Sequence, residues 1–150
     1  MKKIIFTLFL ACVFIFSANA QGYNSAVGVK LGGYLTGTYK KLLKESMYVD
    51  FYAGIDSYGS NVLFGGAMVQ LHKPIESVDN LYWYYGGGAF FGAYSGGIGI
   101  GINGVLGLDY SFDEIPLNIS IDWTPGFYLT GGYGFYGRGG AVSLRYILGN

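Results

Sequence analysis

Pro116-Leu117-Asn118-Ile119-Ser120-Ile121-Asp122-Trp123-Thr124 is the stretch whose reading decides the fold. Leu117, Ile119, Ile121 and Trp123 fall on one face, and Asn118, Ser120, Asp122 and Thr124 on the other. Strict period two marks a β-strand, because successive Cβ atoms point to opposite sides of the chain. The strand immediately upstream is longer. Ile98, Ile100, Ile102, Leu106, Leu108, Tyr110 and Phe112 share a face with Gly104, while Gly99, Gly101, Asn103, Val105, Gly107, Asp109 and Ser111 share the other. Asp113-Glu114-Ile115-Pro116 lies between the runs as a short polar turn, closed by a proline where a strand tolerates one. The two runs make a hairpin.

Working outward, the alternation recurs. Met47, Val49, Phe51, Ala53 and Ile55 alternate with Tyr48, Asp50, Tyr52, Gly54 and Asp56. Leu63, Ala67, Val69 and Leu71 alternate with Phe64, Met68, Gln70 and His72. Val142, Leu144, Tyr146 and Leu148 alternate with Ala141, Ser143, Arg145 and Ile147, and Val27, Val29 and Leu31 with Gly28, Lys30 and Gly32. Residues 81–92 are apolar or aromatic on both faces, so their phase is open. Residues 34–41 form the weakest strand, with Lys40 and Lys41 on opposite faces. The predicted strands are 25–32, 34–41, 47–56, 61–73, 81–93, 98–112, 116–125 and 138–148, with seven as the other admissible count. Pro125 must mark the end of the seventh strand or a bulge in it.

Charged residues make up 12% of the chain, aromatics 19%, and Gly numbers 27. A soluble domain carries about 25% charge. So much apolar surface with so little charge suits a sheet whose outer face meets lipid. A glycine-zipper helix over the uncharged stretch 80–108 is the rival, but glycine costs a helix about 1 kcal/mol per residue, and Ile98-Gly99-Ile100-Gly101-Ile102 repeats every second residue.

Residues 1–20 read as a cleavable signal peptide. Lys2 and Lys3 precede an apolar run from Ile4 to Phe16, and Ser17-Ala18-Asn19-Ala20 offers a small-x-small cleavage site. Cys12, the single cysteine, falls in this segment. The predicted mature domain, 21–150, therefore has no thiol chemistry and no disulfide. Without Lys2 and Lys3, seven basic residues face nine acidic ones. That balance gives no basic stripe for nucleic acid.

Several segments carry a family likeness. They are Glu114-Ile115-Pro116-Leu117-Asn118-Ile119-Ser120-Ile121-Asp122-Trp123-Thr124-Pro125, Val105-Leu106-Gly107-Leu108-Asp109-Tyr110-Ser111-Phe112, Leu81-Tyr82-Trp83-Tyr84-Tyr85-Gly86-Gly87-Gly88, His72-Lys73-Pro74-Ile75 and Ser143-Leu144-Arg145-Tyr146. The chain resembles a family of small bacterial outer-membrane β-barrel domain proteins, eight-stranded and porin-like, over most of its mature length. The resemblance implies an all-β, eight-stranded antiparallel up-and-down transmembrane barrel and is silent on activity. It also implies outer-membrane lipid, barrel-assembly machinery and periplasmic chaperones as partners. The family's frequent closing aromatic is missing from Leu148-Gly149-Asn150, which leaves Tyr146 for that role.

In such a barrel Lys30, Lys40, Asp50, Gln70, His72, Asn103, Asp109, Asn118, Asp122 and Arg145 all point into one narrow lumen. Three bases against three acids suit a structural plug, with a proton or ion path as the sharper reading. Catalysis is not expected. His72, the one histidine, would have to serve any Ser-His-Asp hydrolase acting on outer-leaflet lipid, yet it falls at a strand end beside a periplasmic turn, where a solvated or interfacial place is expected. No residue group has metal-ligand spacing, and no cofactor is implied. Tyr58, Tyr94, Phe127, Tyr128, Tyr133, Phe135 and Tyr136 extend the strands and finish an outer aromatic girdle, with contact residues for an extracellular glycan or protein as the functional alternative. The expectation is a monomeric, non-enzymatic outer-membrane barrel with a structural or surface-interaction role. An exported, soluble lipocalin-like barrel holding a small apolar ligand is the first alternative, and a lipid-modifying barrel enzyme the second.

Overall fold

The computed structural model describes residues 22–56, 62–131, 134–137 and 139–149. Ten strands follow one another: β1 (Ser25–Gly32), β2 (Tyr34–Lys44), β3 (Met47–Asp56), β4 (Leu63–Pro74), β5 (Leu81–Tyr94), β6 (Gly97–Ser111), β7 (Leu117–Trp123), β8 (Gly126–Thr130), β9 (Phe135–Tyr136) and β10 (Gly140–Gly149). Neighbours pair antiparallel from β1 to β7, β7 pairs β10, and β10 returns to β1. The sheet thus closes into an eight-stranded barrel, which leaves its walls no free edge.

β8 and β9 lengthen the walls already present. Trp123 faces Leu106 and Gly126 faces Asn103, so β8 continues β7 along β6 in the same register. Pro125 sits between them without ending the wall. Opposite it, the Gly104 N–H donates to the Pro125 carbonyl at 2.9 Å; what is forfeited is the return bond that proline, lacking an N–H, cannot give. Thr124 N–H donates to the Gly139 carbonyl, whereas Gly126 faces Tyr136, so the partner spends one residue more over this interval. β7 falls within the predicted strand 116–125, and the glycine-rich stretch after it carries the further strand pair β8 and β9. The β2 strand also runs on to Lys44, beyond its predicted end.

Both described ends of the chain meet at one mouth, where the Asn24 N–H donates to the Gly149 carbonyl at 2.8 Å. The β2–β3, β4–β5 and β6–β7 turns share that mouth. Asn80 closes the β4–β5 turn at φ 61, a left-handed geometry that asparagine tolerates, and its side chain donates to Asp113. The opposite mouth carries the tight Gly33 turn between β1 and β2, the β5–β6 turn and the β8–β9 hairpin.

The alternation divides the wall. Val29, Leu31, Phe51, Ile55, Ile100, Ile121 and Leu144 point outward and are exposed, while the ionisable partners on the same strands are buried. Inside, two apolar clusters bracket a polar middle: Tyr52, Met68, Tyr84, Phe90 and Val105, and Tyr23, Ala26, Tyr48 and Ile147. The open phase of 81–92 resolves with Tyr84 and Phe90 inward and Trp83, Tyr85 and Phe91 outward.

Inward glycines let this interior close. A Cβ at Gly107 would come 2.6 Å from Cζ of Tyr84, and one at Gly101 2.4 Å from Cζ of Phe90. These glycines yield space to the aromatic rings of β5.

The lumen as candidate functional site

β1, β2, β3, β6, β7 and β10 each send at least one charged side chain inward, and each charge meets its opposite. Lys30 Nζ lies 2.9 Å from Asp122 Oδ2, Lys40 Nζ 3.2 Å from Asp109 Oδ2, and Arg145 Nη2 3.2 Å from Asp50 Oδ2. These three pairs use the three bases and three acids named for the lumen from the sequence. Burying a charge without a partner costs several kcal/mol per ion, so one-to-one pairing is what permits them there.

Neutral donors complete the coordination. Tyr84 O–H donates to Asp122 Oδ2 at 2.7 Å, and Thr124 O–H to Asp122 Oδ1 at 2.9 Å. Asn118 Nδ2 donates to Asp109 Oδ1 at 2.6 Å, and Thr38 O–H to Asp50. Arg145 spreads further, giving Nη1 to Ser120 Oγ at 2.7 Å. Gln70 Nε2 reaches Asp50 Oδ2 at 3.5 Å. Lys40 Nζ also lies 4.4 Å from the centre of the Tyr84 ring, within cation–π range. At the termini mouth, Tyr23 O–H donates to Asp109 Oδ2 at 3.3 Å. Burial first, then the Asp109 carboxylate, pushes the Tyr23 phenol well above its ordinary range and keeps it a donor.

His72 takes the inward place that its strand phase assigns it. It is 4% exposed, a lumen residue rather than a solvated strand end. The inward phase of Met68 and Gln70 continues through it. Its ring stacks on Tyr84 at 4.8 Å, and Nε2 lies 3.3 Å from Lys40 Nζ and 3.4 Å from Gln70 Oε1. The imidazole is thus enclosed between aromatic rings and an ammonium group, a setting unlike that of a serine hydrolase base.

Asn103 stands apart from the charged layer. Its Nδ2 donates to the Tyr52 hydroxyl at 2.8 Å, and its buried Oδ1 has no partner. Thr36, Thr38, Ser120, Ser143, Tyr23 and Tyr84 are buried as well, beyond the residues that the sequence singles out. For the two threonines the signal is their shared phase with Lys40. Tyr84 offers none, because both faces of its segment are apolar.

The candidate contact aromatics divide into groups. Phe127 and Phe135 lie outside, 48% and 70% exposed. Tyr94 is also exposed, and its hydroxyl donates to the Gly131 carbonyl at 2.6 Å. Tyr128 and Tyr136 instead line the lumen at the mouth away from the termini. Tyr58 and Tyr133 lie outside the described residues.

No family model, curated protein or solved structure matches this chain.

Proposed function

We propose that this chain is a non-enzymatic β-barrel of a bacterial outer membrane, exported by cleavage after Ala20, whose lumen is held shut by its own ion pairs. The observation that carries this reading is the inversion of the wall. Outward positions of the barrel are apolar, and outward charges on the strands, such as Lys41, Lys44 and Lys73, sit at strand ends on the termini side. Water would penalise such an exterior, whereas lipid-facing Lys or Arg costs about 2–4 kcal/mol at the bilayer midplane. A lipocalin-like barrel for apolar ligands needs the reverse arrangement, apolar within and polar without. The role that fits is structural or surface-interacting, through the rim opposite the termini.

Fractionation tests this directly. The chain expressed with its leader in a Gram-negative host should sediment with outer membranes. In detergent it should migrate faster unheated than boiled, as closed barrels do. Recovery free in the periplasm, with no such shift, would overturn the proposal.

A further inference from the structure

At the mouth away from the termini, the lumen opens into a pocket that the charged layer does not fill. Its volume is about 70 Å³. The walls are aromatic: Tyr34 stacks on Phe64 at 4.0 Å with planes 6° apart, Phe64 meets Phe90 at 5.5 Å, and Phe90 meets the edge of Tyr128 at 4.9 Å. Tyr34 and Tyr128 both line this mouth. Tyr136 closes the rim, its hydroxyl 3.0 Å from where a Gly33 Cβ would stand. The floor is polar but electrically spent, since Lys30 is already paired with Asp122. Beside it lies the Tyr52–Asn103 hydrogen bond, with the Asn103 carbonyl oxygen unpartnered beneath.

These features specify an occupant. Neutralisation of Lys30 disfavours an anion, and Lys30 itself disfavours a cation, so the occupant is uncharged. The space is roughly half the ~150 Å³ that admits a benzene ring, which excludes a whole sugar or indole and admits an end group of a few heavy atoms. Apolar rings beside tyrosine hydroxyls ask for a methyl joined to a hydrogen-bonding group. We propose that this pocket binds the acetamido end of an N-acetylated sugar, methyl inward against Phe64 and Phe90, with the sugar ring outside over Tyr34 and Tyr136. Pocket and ligand class stand on the lumen geometry; only the extracellular origin of the sugar rests on the outer-membrane reading.

Saturation-transfer NMR on the folded barrel in detergent is the test, with N-acetylglucosamine, glucosamine and glucose as probes. The acetyl methyl should take the strongest saturation, and the two sugars lacking it should show none. Gly33→Leu, which narrows the mouth without touching the ion pairs, and Tyr34→Ala should each cut the signal at least fivefold, with Phe135→Ala leaving it unchanged. Each variant's heat-modifiable migration confirms its fold independently. A β-linked tetramer binding more tightly than the monomer assigns the end of a glycan, and equal binding assigns a free sugar. An acetyl methyl without saturation, or equal signals from glucose or from Gly33→Leu, overturns the proposal. Periplasmic recovery of the chain would sink the membrane reading and leave the sugar-binding result standing.

Discussion

Arg145 reaches Asp50, Ser120 and Asn118 from a single position on β10, and its side chain is fully buried. Removing one partner of a buried ion pair costs about 3–5 kcal/mol because the other charge is left uncompensated. Arg145→Ala should therefore destabilise the barrel by that much, measured by urea unfolding in lipid vesicles with the folded form detected by gel migration. The double replacement Arg145→Met with Asp50→Leu should recover most of the loss, since apolar substitution of a whole pair is often neutral or better. A double variant as unstable as the single one would mean that the pair is not the source of the cost. Charged lumen residues such as Lys30, Asp109 and Asp122 are legible in the sequence because each alternates with aliphatic neighbours. Their pairing is not legible. Lys30 and Asp122 stand on strands that share no ladder, and only closure across the lumen brings them together.

At the scale of the strand, the alternation in β7 gives the right phase, and the wall it begins runs on past Pro125 as β8. Period two fixes the faces of Leu117 to Trp123, and local rules make Pro125 either the strand's end or a bulge in it. The wall passes through it because Gly104 opposite still donates to its carbonyl. β5 is the reverse case, with clear limits and no phase, since aromatics on both faces give no contrast between outside and lumen. For His72 the phase of its strand outweighs its place near the strand end, and the ring turns inward. The faces make a direct prediction for Ile121, which is 56% exposed on β7. Ile121→Arg should destabilise the lipid-embedded barrel by up to about 2–4 kcal/mol, measured by urea unfolding in vesicles. Ile121→Leu should be close to neutral, and an arginine tolerated as well as leucine would place that face in water.

For the whole molecule, closure into an eight-stranded barrel leaves an interior just wide enough for side chains. Lys40, Arg145, Asp50, Asp109 and Gln70 fill it with almost no solvent exposure. Planar bilayers containing the purified protein should therefore show no steady ion-selective current. Sustained unitary conductance would contradict the plug and favour an ion path through the same residues. Eight strands and the inside-out partition are readable because composition and alternation agree. The aromatic pocket is not, since Tyr128 and Tyr136 read from the sequence as surface-contact residues, and only closure brings them beside Tyr34 and Phe90.

Carbene labelling from a lipid-dissolved reagent on the membrane-embedded protein, mapped by peptide mass spectrometry, reports which side chains face the bilayer. Leu117, Ile119 and Ile121 should carry the label, with Asn118, Ser120 and Asp122 between them unmodified. Label on Asp109, Asp122 or Arg145 in place of those aliphatic residues would contradict the assignment of lipid and lumen faces.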